Sequence, residues 1–309
     1  MNSIEVKNLT KKFGSFVSVD NISFNVRQGE IFGFLGANGA GKSTTIRMLC
    51  GILEPTEGDA MVGGYSIKTQ PDLVKTRIGY MSQRFSLYND LTVEENINFF
   101  GGIYGLSRRT LEEKKKWVLN VADLEGREKT LTASLPGGVK QRLALCTAVI
   151  HEPGIIFLDE PTSGVDPISR RNFWELINEL SEGGTTIFVT THYLEEAEFC
   201  NNIILINAGR LVAEGTSKEL KEKHITNTIL ELECDRVVDA MELLSKESWV
   251  LETSIFGNYL HLSVNDEVKA RETITGILTD KNRINISRID RIVPTLEDVF
   301  IHLLEEGKK

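Results

Sequence analysis

Hydrophobic residues fall along this chain in two textures. Ile31-Phe32-Gly33-Phe34-Leu35 and Ile155-Ile156-Phe157-Leu158 are short apolar runs without alternation, the pattern of parallel strands buried on both faces. Thr185 to Thr191 predicts a third such strand, and Asn202 to Asn207 with Arg210 to Glu214 a pair flanking the turn Ala208-Gly209. The residues before Ile31 read as small strands. From about Ser86 to His151 the spacing becomes helical, over Val93 to Tyr104, Leu111 to Val121 and Gly138 to Ile150, and a further helix is predicted over Phe173 to Leu180. The expected layout is an α/β core with a helical insert.

Near Thr216 to His224 the chain turns polar and rich in Lys and Glu, which predicts the end of a first domain. Beyond it come strand Asn227 to Glu233, helix Arg236 to Lys246, strands Trp249 to Ile255 and Asn258 to Val264 joined at Phe256-Gly257, helix Asp266 to Leu278, strand Arg283 to Asp290 and a final helix from Thr295. This βαββαβ order with a closing helix fits a ferredoxin-like domain. The expected boundaries are 1–220, with the helical insert at about 86–151, and 225–309.

At 309 residues the chain can bury one substantial core and a second small one, and its 41% hydrophobic and 26% charged content is ordinary. No apolar segment approaches the ~18 residues that span a bilayer, and Met1 to Lys7 run directly into a strand-like pattern, so no leader is expected. A formal net charge of -9 argues against a nucleic-acid partner, since phosphate contacts need clustered Lys and Arg. Lys114-Lys115-Lys116, behind Glu112-Glu113, reads as a solvated helix face. Cys50, Cys146, Cys200 and Cys234 lack paired metal-ligand spacing and read as reduced core residues of a cytoplasmic protein.

Two clusters carry chemistry. Gly36-Ala37-Asn38-Gly39-Ala40-Gly41-Lys42-Ser43-Thr44 lies between the apolar run ending at Leu35 and the helix-patterned Thr45 to Leu49, the strand-loop-helix setting that a P-loop requires. Gly36, Gly39 and Gly41 let successive amides curl toward a triphosphate at the positive end of the helix. Lys42 supplies a point charge for the β- and γ-phosphates, and Ser43 a hydroxyl for Mg²⁺. The apolar run at 155–158 ends in Asp159-Glu160, where Asp159 suits Mg²⁺ held through water and Glu160 suits polarising an attacking water.

With these motifs in this order, residues 1 to 220 resemble the ATP-binding subunits of ABC transporters, and the resemblance implies further roles. Phe13 in Lys11-Lys12-Phe13-Gly14 takes the place of the aromatic that stacks on adenine, more often Tyr. Gln83, after Ile78-Gly79-Tyr80-Met81-Ser82, corresponds to the glutamine that reaches Mg²⁺ and water while sensing the membrane partner. Asp166 in Ser163-Gly164-Val165-Asp166 matches the loop crossing the dimer interface, and His192 the switch histidine near the γ-phosphate. One element departs: Leu135-Pro136-Gly137-Gly138-Val139 stands where the family usually has Leu-Ser-Gly-Gly-Gln, the segment that caps the γ-phosphate bound by the other subunit. Pro136 has neither hydroxyl nor N–H, which leaves the helix-start amides of Gly137 and Gly138 as the anion site, although Pro also suits the first position of a helix. In the family the helical insert faces the membrane subunit, so Phe85, Leu87, Tyr88, Phe99, Phe100 and Tyr104 are candidates either for a docking groove or for core. The tail, with Val293-Pro294-Thr295-Leu296-Glu297-Asp298-Val299-Phe300 near its end, resembles those on ATPases of two-component exporters.

The resemblance implies an α/β P-loop NTPase of ABC ATPase type: a RecA-like core, a helical subdomain, an antiparallel β subdomain and a small C-terminal α+β ferredoxin-like domain of regulatory or accessory character. It also implies an ATP-hydrolysing subunit that uses ATP and Mg²⁺, acts as a homodimer or paired with another ATPase subunit, and docks on the cytoplasmic side of a separate membrane-spanning permease to drive export, with drugs the suggested cargo. Two other readings stay open: a soluble ABC-type ATPase acting on ribosomes or DNA, and an ATP-binding regulatory module that has lost turnover.

Overall fold

The computed structural model describes residues 1–83 and 87–306. The chain divides into two compact units, Met1–Glu214 and Gly215–Lys309. The division falls before the helix Ser217–His224, upstream of the 220–225 break expected from composition.

In the first unit, β1 (Asn2–Phe13) and β2 (Phe16–Arg27) are not small strands but an antiparallel pair of 12 residues each, bent by irregular register between Val6 and Leu9. Ile22, Phe24 and Val26 alternate inward along β2, as a sheet with one solvated face requires. Then β3 (Ile31–Leu35), buried at every position, runs into the P-loop and α1 (Lys42–Leu49). β4 (Glu57–Val62) and β5 (Tyr65–Ser66) complete the antiparallel sheet, in the order β2-β1-β4-β5. After the short α2 (Pro71–Lys75) comes β6 (Ile78–Met81).

The helical insert follows as α3 (Val93–Ile103), α4 (Arg108–Val121) and α5 (Gly137–Ala148). A capping box between Thr92 and Glu95 starts α3, and the Ser107 hydroxyl accepts from the Thr110 amide to start α4. Leu87 is buried, Phe100 and Tyr104 pack against the core, and Tyr88 and Phe99 stand exposed with ring centroids 4.8 Å apart; Phe85 lies outside the described residues. The lysine run is a solvated face only at Lys116. Lys115 is buried between Glu94 (2.8 Å) and Glu112 (3.0 Å), and Lys114 pairs with Glu152, because α4 turns this side toward its neighbours.

β7 (Ile155–Asp159), α6 (Pro167–Glu182), β8 (Thr186–Thr191), β9 (Asn202–Asn207) and β10 (Arg210–Gly215) complete a six-stranded sheet in the order β10-β9-β3-β8-β7-β6. β3 pairs in parallel with β8 and β9, and β7 with β6 and β8. In this register Leu35 faces Thr191 and Asp159 faces Thr190, so the P-loop, Glu160 and His192 leave the sheet at the same edge. Phe24, Phe32, Phe34, Phe157 and Phe188 pack between the two sheets with neighbouring centroids 5.4 to 6.1 Å apart. This aromatic layer anchors the strand that carries the P-loop. Among the described residues no helix is long and apolar enough to cross a membrane.

The second unit begins with α7 (Ser217–His224), then β11 (Thr228–Cys234), α8 (Val237–Leu244), β12 (Val250–Phe256), β13 (Tyr259–Val264), α9 (Glu267–Thr275), β14 (Ile286–Ile292) and α10 (Leu296–Glu306). Its sheet is antiparallel at each described pairing, in the order β12-β13-β11-β14. β14 starts three residues later than the pattern predicts, because a π-helical segment, Gly276–Lys281, prolongs α9 and Ile284 turns inward ahead of the strand. Leu230, Leu232, Leu260, Leu262 and Val264 form a core with α8 and α9 that shares no residue with the cores of the first unit.

Candidate active site

The P-loop glycines answer to packing as well as to backbone curvature. Gly41 has φ +106°, and a Cβ there would lie 2.5 Å from the Ser18 carbonyl oxygen, so only glycine lets the loop close against β2. Lys42 begins α1 and is buried; its ammonium donates to the carbonyls of Gly36 (2.8 Å) and Ala37 (3.2 Å) and lies 3.1 Å from Glu160 Oε1. The Thr44 and Ser18 hydroxyls are 2.9 Å apart, fixing the loop's far side, while Ala40 is buried beneath it. Above these groups opens a cleft of about 390 Å³, lined among others by Asn38, Gly39, Lys42, Ser43, Gln83 and Glu160.

The acids at the end of β7 stand where the register put them. Ser43 Oγ donates to Asp159 Oδ1 (3.0 Å), and so does Thr190 Oγ1 (2.8 Å). Burial pushes the Asp159 carboxyl above its usual value, opposed by the hydrogen bonds from Thr190 and Ser43 and assisted by the charge of Glu160. A buried carboxylate with this handicap, beside a hydroxyl and a second acid, favours a small hard cation with oxygen ligands, and the donor set fits Mg²⁺. Glu160 takes a left-handed φ of +48°, unusual for a side chain other than glycine, and its amide donates to both the carbonyl and the hydroxyl of Thr190 (3.0 Å each). That turn aims the carboxylate into the cleft. There Oε2 accepts from Gln83 Nε2 (3.0 Å) and lies 3.1 Å from His192 Nδ1, while Oε1 faces Lys42.

Lys42, Ser43, Gln83, Asp159, Glu160 and His192, spread over 151 positions, thus meet around one carboxylate pair. Other expected site residues lie elsewhere. Phe13 is half-exposed at the end of β1, with the Lys11 ammonium 5.2 Å from its ring, while its register partner Phe16 lines the cleft. Phe16 escaped sequence reasoning because no motif marks it; the available signal is that aromatics flank Gly14-Ser15 on both sides. Thr190, which holds both Asp159 and Glu160, was equally unmarked. Asp166 caps α6 by accepting from the Ser169 amide (3.0 Å), the bond that holds its carboxyl below the usual value. Leu135 is buried and Pro136 exposed at the cap of α5. Pro136 is therefore not at the first helical position: its ψ of 150° is extended, and the helix starts at Gly137 without a side-chain cap. Gly138 packs against α6 so closely that a Cβ would lie 2.3 Å from Ser169 Oγ.

These features agree with known proteins. The family model described as ABC transporter matches residues 19–163, and that of the ATP-binding protein DrrA1-3-like C-terminal domain matches residues 215–304. The linearmycin resistance ATP-binding protein LnrL of Bacillus subtilis (strain 168) is 34% identical over 304 residues, 97% of each chain. The chain belongs to the ATP-binding proteins of ABC transporters. Within this ABC ATPase family, the probable multidrug ABC transporter ATP-binding protein YbhF of Escherichia coli (strain K12) is 52% identical over 218 residues, 71% of this chain. This chain spans only 38% of the length of YbhF. The Nod factor export ATP-binding protein I of Burkholderia lata is 35% identical over 301 residues, covering 97% of this chain and 96% of its own. Among solved structures, an ATP-binding subunit of an ABC transporter superposes with a TM-score of 0.65 at 31% identity, over 71% of this chain and 92% of its own. The ATP-binding cassette MJ0796, in a dimeric post-hydrolysis state with ADP and Pi, gives 0.63 at 28% identity, over 69% and 98%.

Proposed function

We propose that this ABC ATPase binds Mg·ATP in the cleft above its P-loop and hydrolyses it between two head-to-tail cassettes, powering export through a separate membrane permease from the cytoplasmic face. The observation that carries the proposal is the surround of Glu160: one buried carboxylate within 3.1 Å of Lys42, Gln83 and His192 beside a cleft of about 390 Å³. Lys42 and the loop amides bind and orient the phosphates. Glu160, held by its strained turn, accepts hydrogen bonds from the attacking water and takes up its proton. Gln83 and His192 hold that carboxylate in place, and His192 donates toward charge growing on the γ-phosphate. Ser43, Asp159 and the amide oxygen of Gln83 would hold Mg²⁺, which supplies charge neutralisation on the phosphates.

Phe16 or Phe13 offers a π face to the base. Gly137 and Gly138, at an uncapped helix start, and Asp166, on the neighbouring loop, belong to the face presented to the other cassette. The exposed pair Tyr88 and Phe99, with Ile103 bordering a cleft of about 460 Å³ that also meets Ile52 and Tyr104, supports docking of a permease segment on this side. For the second unit, the strand order, with two helices packed into one core, supports a ferredoxin-like fold. The names of the relatives, multidrug transport, linearmycin resistance and Nod factor export, support export as the direction, with drugs among the cargo.

The test is steady-state hydrolysis of Mg·ATP by the purified chain and its Glu160→Gln variant. The variant is expected to keep ATP binding, to lose roughly a hundredfold or more in kcat and to accumulate an ATP-held dimer in sedimentation. Near-normal turnover would remove Glu160 from the mechanism.

A further inference from the structure

His192 is followed by groups that lead away from the cleft and arrive at the first turn of α6. The ring of Tyr193 lies 4.1 Å from that of His192, centroid to centroid, and the guanidinium carbon of Arg170 sits 4.3 Å from the centre of the Tyr193 ring. Arg170 occupies that first turn, its amide bonded to the Asp166 carbonyl (2.9 Å). On the other side its Nε is 3.5 Å from Oε1 of Glu196, which is almost fully buried. Glu196 Oε1 also accepts from the buried hydroxyl of Thr162 (2.5 Å), two residues beyond Glu160. Ser169, next to Arg170, is the residue against which Gly138 is packed.

This network is incompletely made. The buried Nε of Arg170 and Oε2 of Glu196 have no hydrogen-bond partner among the described residues. Buried polar atoms left so are costly, and a native structure that keeps them usually keeps them for a reason. The distance of 3.5 Å needs less than ~1 Å of side-chain movement to become a charge-assisted hydrogen bond. A second, closer arrangement of this contact, at the junction of two elements, is what coupling between sites would require.

We propose that Tyr193, Arg170 and Glu196 are positioning residues that tie the ring of His192 to the first turn of α6, and through it to Asp166 and the start of α5. Tyr193 offers Arg170 a π face and His192 a wall, so a rotation of the imidazole toward a γ-phosphate shifts the guanidinium relative to Glu196. Glu196, fixed to Thr162, is the stationary end. The triad then orients the face that one cassette offers its partner according to what its own cleft holds. The inference rests on the role proposed above for His192.

The experiment measures ATP affinity, kcat and KM on the full chain carrying Tyr193→Leu, Arg170→Met and both together, with Tyr193→Phe and His192→Ala alongside. The relay predicts that Tyr193→Leu and Arg170→Met each lower kcat by about tenfold or more while ATP affinity and KM stay within about twofold. It also predicts that the double variant falls no further than the worse single one, because both break the same connection, and that Tyr193→Phe, which keeps the ring, keeps the rate. If Arg170→Met fails to fold, Arg170→Lys keeps the charge without the planar stack and is expected to show the same kcat loss at normal KM. Losses that multiply in the double variant, or unchanged kcat in both single variants while His192→Ala is inactive, would overturn the relay alone. Wild-type turnover by His192→Ala would overturn the role of His192 and the relay with it.

Discussion

Among the described residues His192, His261 and His302 sit against carboxylates, and the contrast between the first two shows what makes a candidate site. His192 meets Glu160 at 3.1 Å with 28% of its side chain exposed, beside Lys42 and the cleft. His261, on β13, meets Asp298 at 2.8 Å and Glu231 at 3.5 Å, but it and Asp298 are each only 5% exposed. Asp298 spends its other oxygen on the amide and hydroxyl of Thr295, which starts α10, and the cavity beside it is only about 10 Å³. One pair is a buried strut that ties α10 to a sheet; the other is open to a ligand. What separates them is whether further donors converge on a reachable space, not the presence of a titratable pair.

The comparison breaks most directly at Lys42. Lys42→Ala removes the charge that holds Glu160 and the proposed phosphates, and ATP affinity is expected to fall by ~3 kcal/mol or more, over a hundredfold. The unfolding transition of the second unit should not move, since its core shares no residue with the P-loop's. Nucleotide titration and a melting curve on the same sample check both halves.

The reciprocal change is Asp298→Asn, which removes the nearer of the two carboxylates on buried His261, leaving only Glu231 at 3.5 Å, and is expected to cost the second unit about 3 kcal/mol. ATP affinity should stay within about twofold. Burial alone pushes the Asp298 carboxyl up, but hydrogen bonds from His261 and Thr295 outweigh it and hold the carboxyl below its usual 3.8. A depressed carboxylate contributes stability that is complete above the unfolded value and lost as pH falls through the native one. The second unit of the wild type should therefore weaken below about pH 4, and the Asn variant should lack that component of the acid transition. An acid transition of equal depth in both proteins would deny Asp298 the role of strut.

How far the sequence led differs in the same way between the units. The runs at 31–35 and 155–158 are legible as parallel strands because both faces are covered, and strand-end chemistry follows once the strands are placed. Contacts made across the sequence by unmarked residues are not legible: Phe16 beside the cleft, Thr190 under both acids, Lys115 buried between two glutamates and Arg170 on Tyr193. Each depends on a register or a helix rotation that no local pattern states. The break between units is a further example. Its Lys- and Glu-rich stretch reads as the end of the first domain, yet it forms α7 of the second unit, which has a capping box between Thr216 and Glu219 and packs on α10 at the other end of that unit.

That packing yields a smaller prediction. A chain ending at Glu214 is expected to fold and bind ATP, whereas one ending at Lys223 carries α7 without α10 and leaves Leu220, buried in the full chain, open to water. Exposing one leucine costs up to about 2 kcal/mol in solubility rather than in ATP affinity. Equal affinity with more aggregation in the longer chain is the expected pair of results, and loss of ATP binding in the shorter one would make the tail part of the cassette.

The smallest effect belongs to Pro136, where cassette stability and the proposed contact between cassettes pull on the same atom. Pro136 holds the cap of α5 with no side-chain oxygen, and the nearby Ser134 already donates its hydroxyl proton to the Leu131 carbonyl (2.7 Å), which leaves it none to give a phosphate. A serine at 136 has two uses for its hydroxyl. It can accept from an amide in the first turn of α5, worth about 1 kcal/mol to the isolated cassette, or donate to a phosphate across the dimer, worth ~1.5–3 kcal/mol as a charge-assisted bond. Pro136→Ser in the Glu160→Gln background separates them. A rise in melting temperature without nucleotide reports the cap, and a dimer that persists to lower ATP concentration in sedimentation reports the phosphate. The expected result is a modest gain in both, the dimer gain being the larger. A higher melting temperature with an unchanged or weaker dimer would mean that Gly137 and Gly138 carry the phosphate contact alone and that Pro136 costs this chain only a cap.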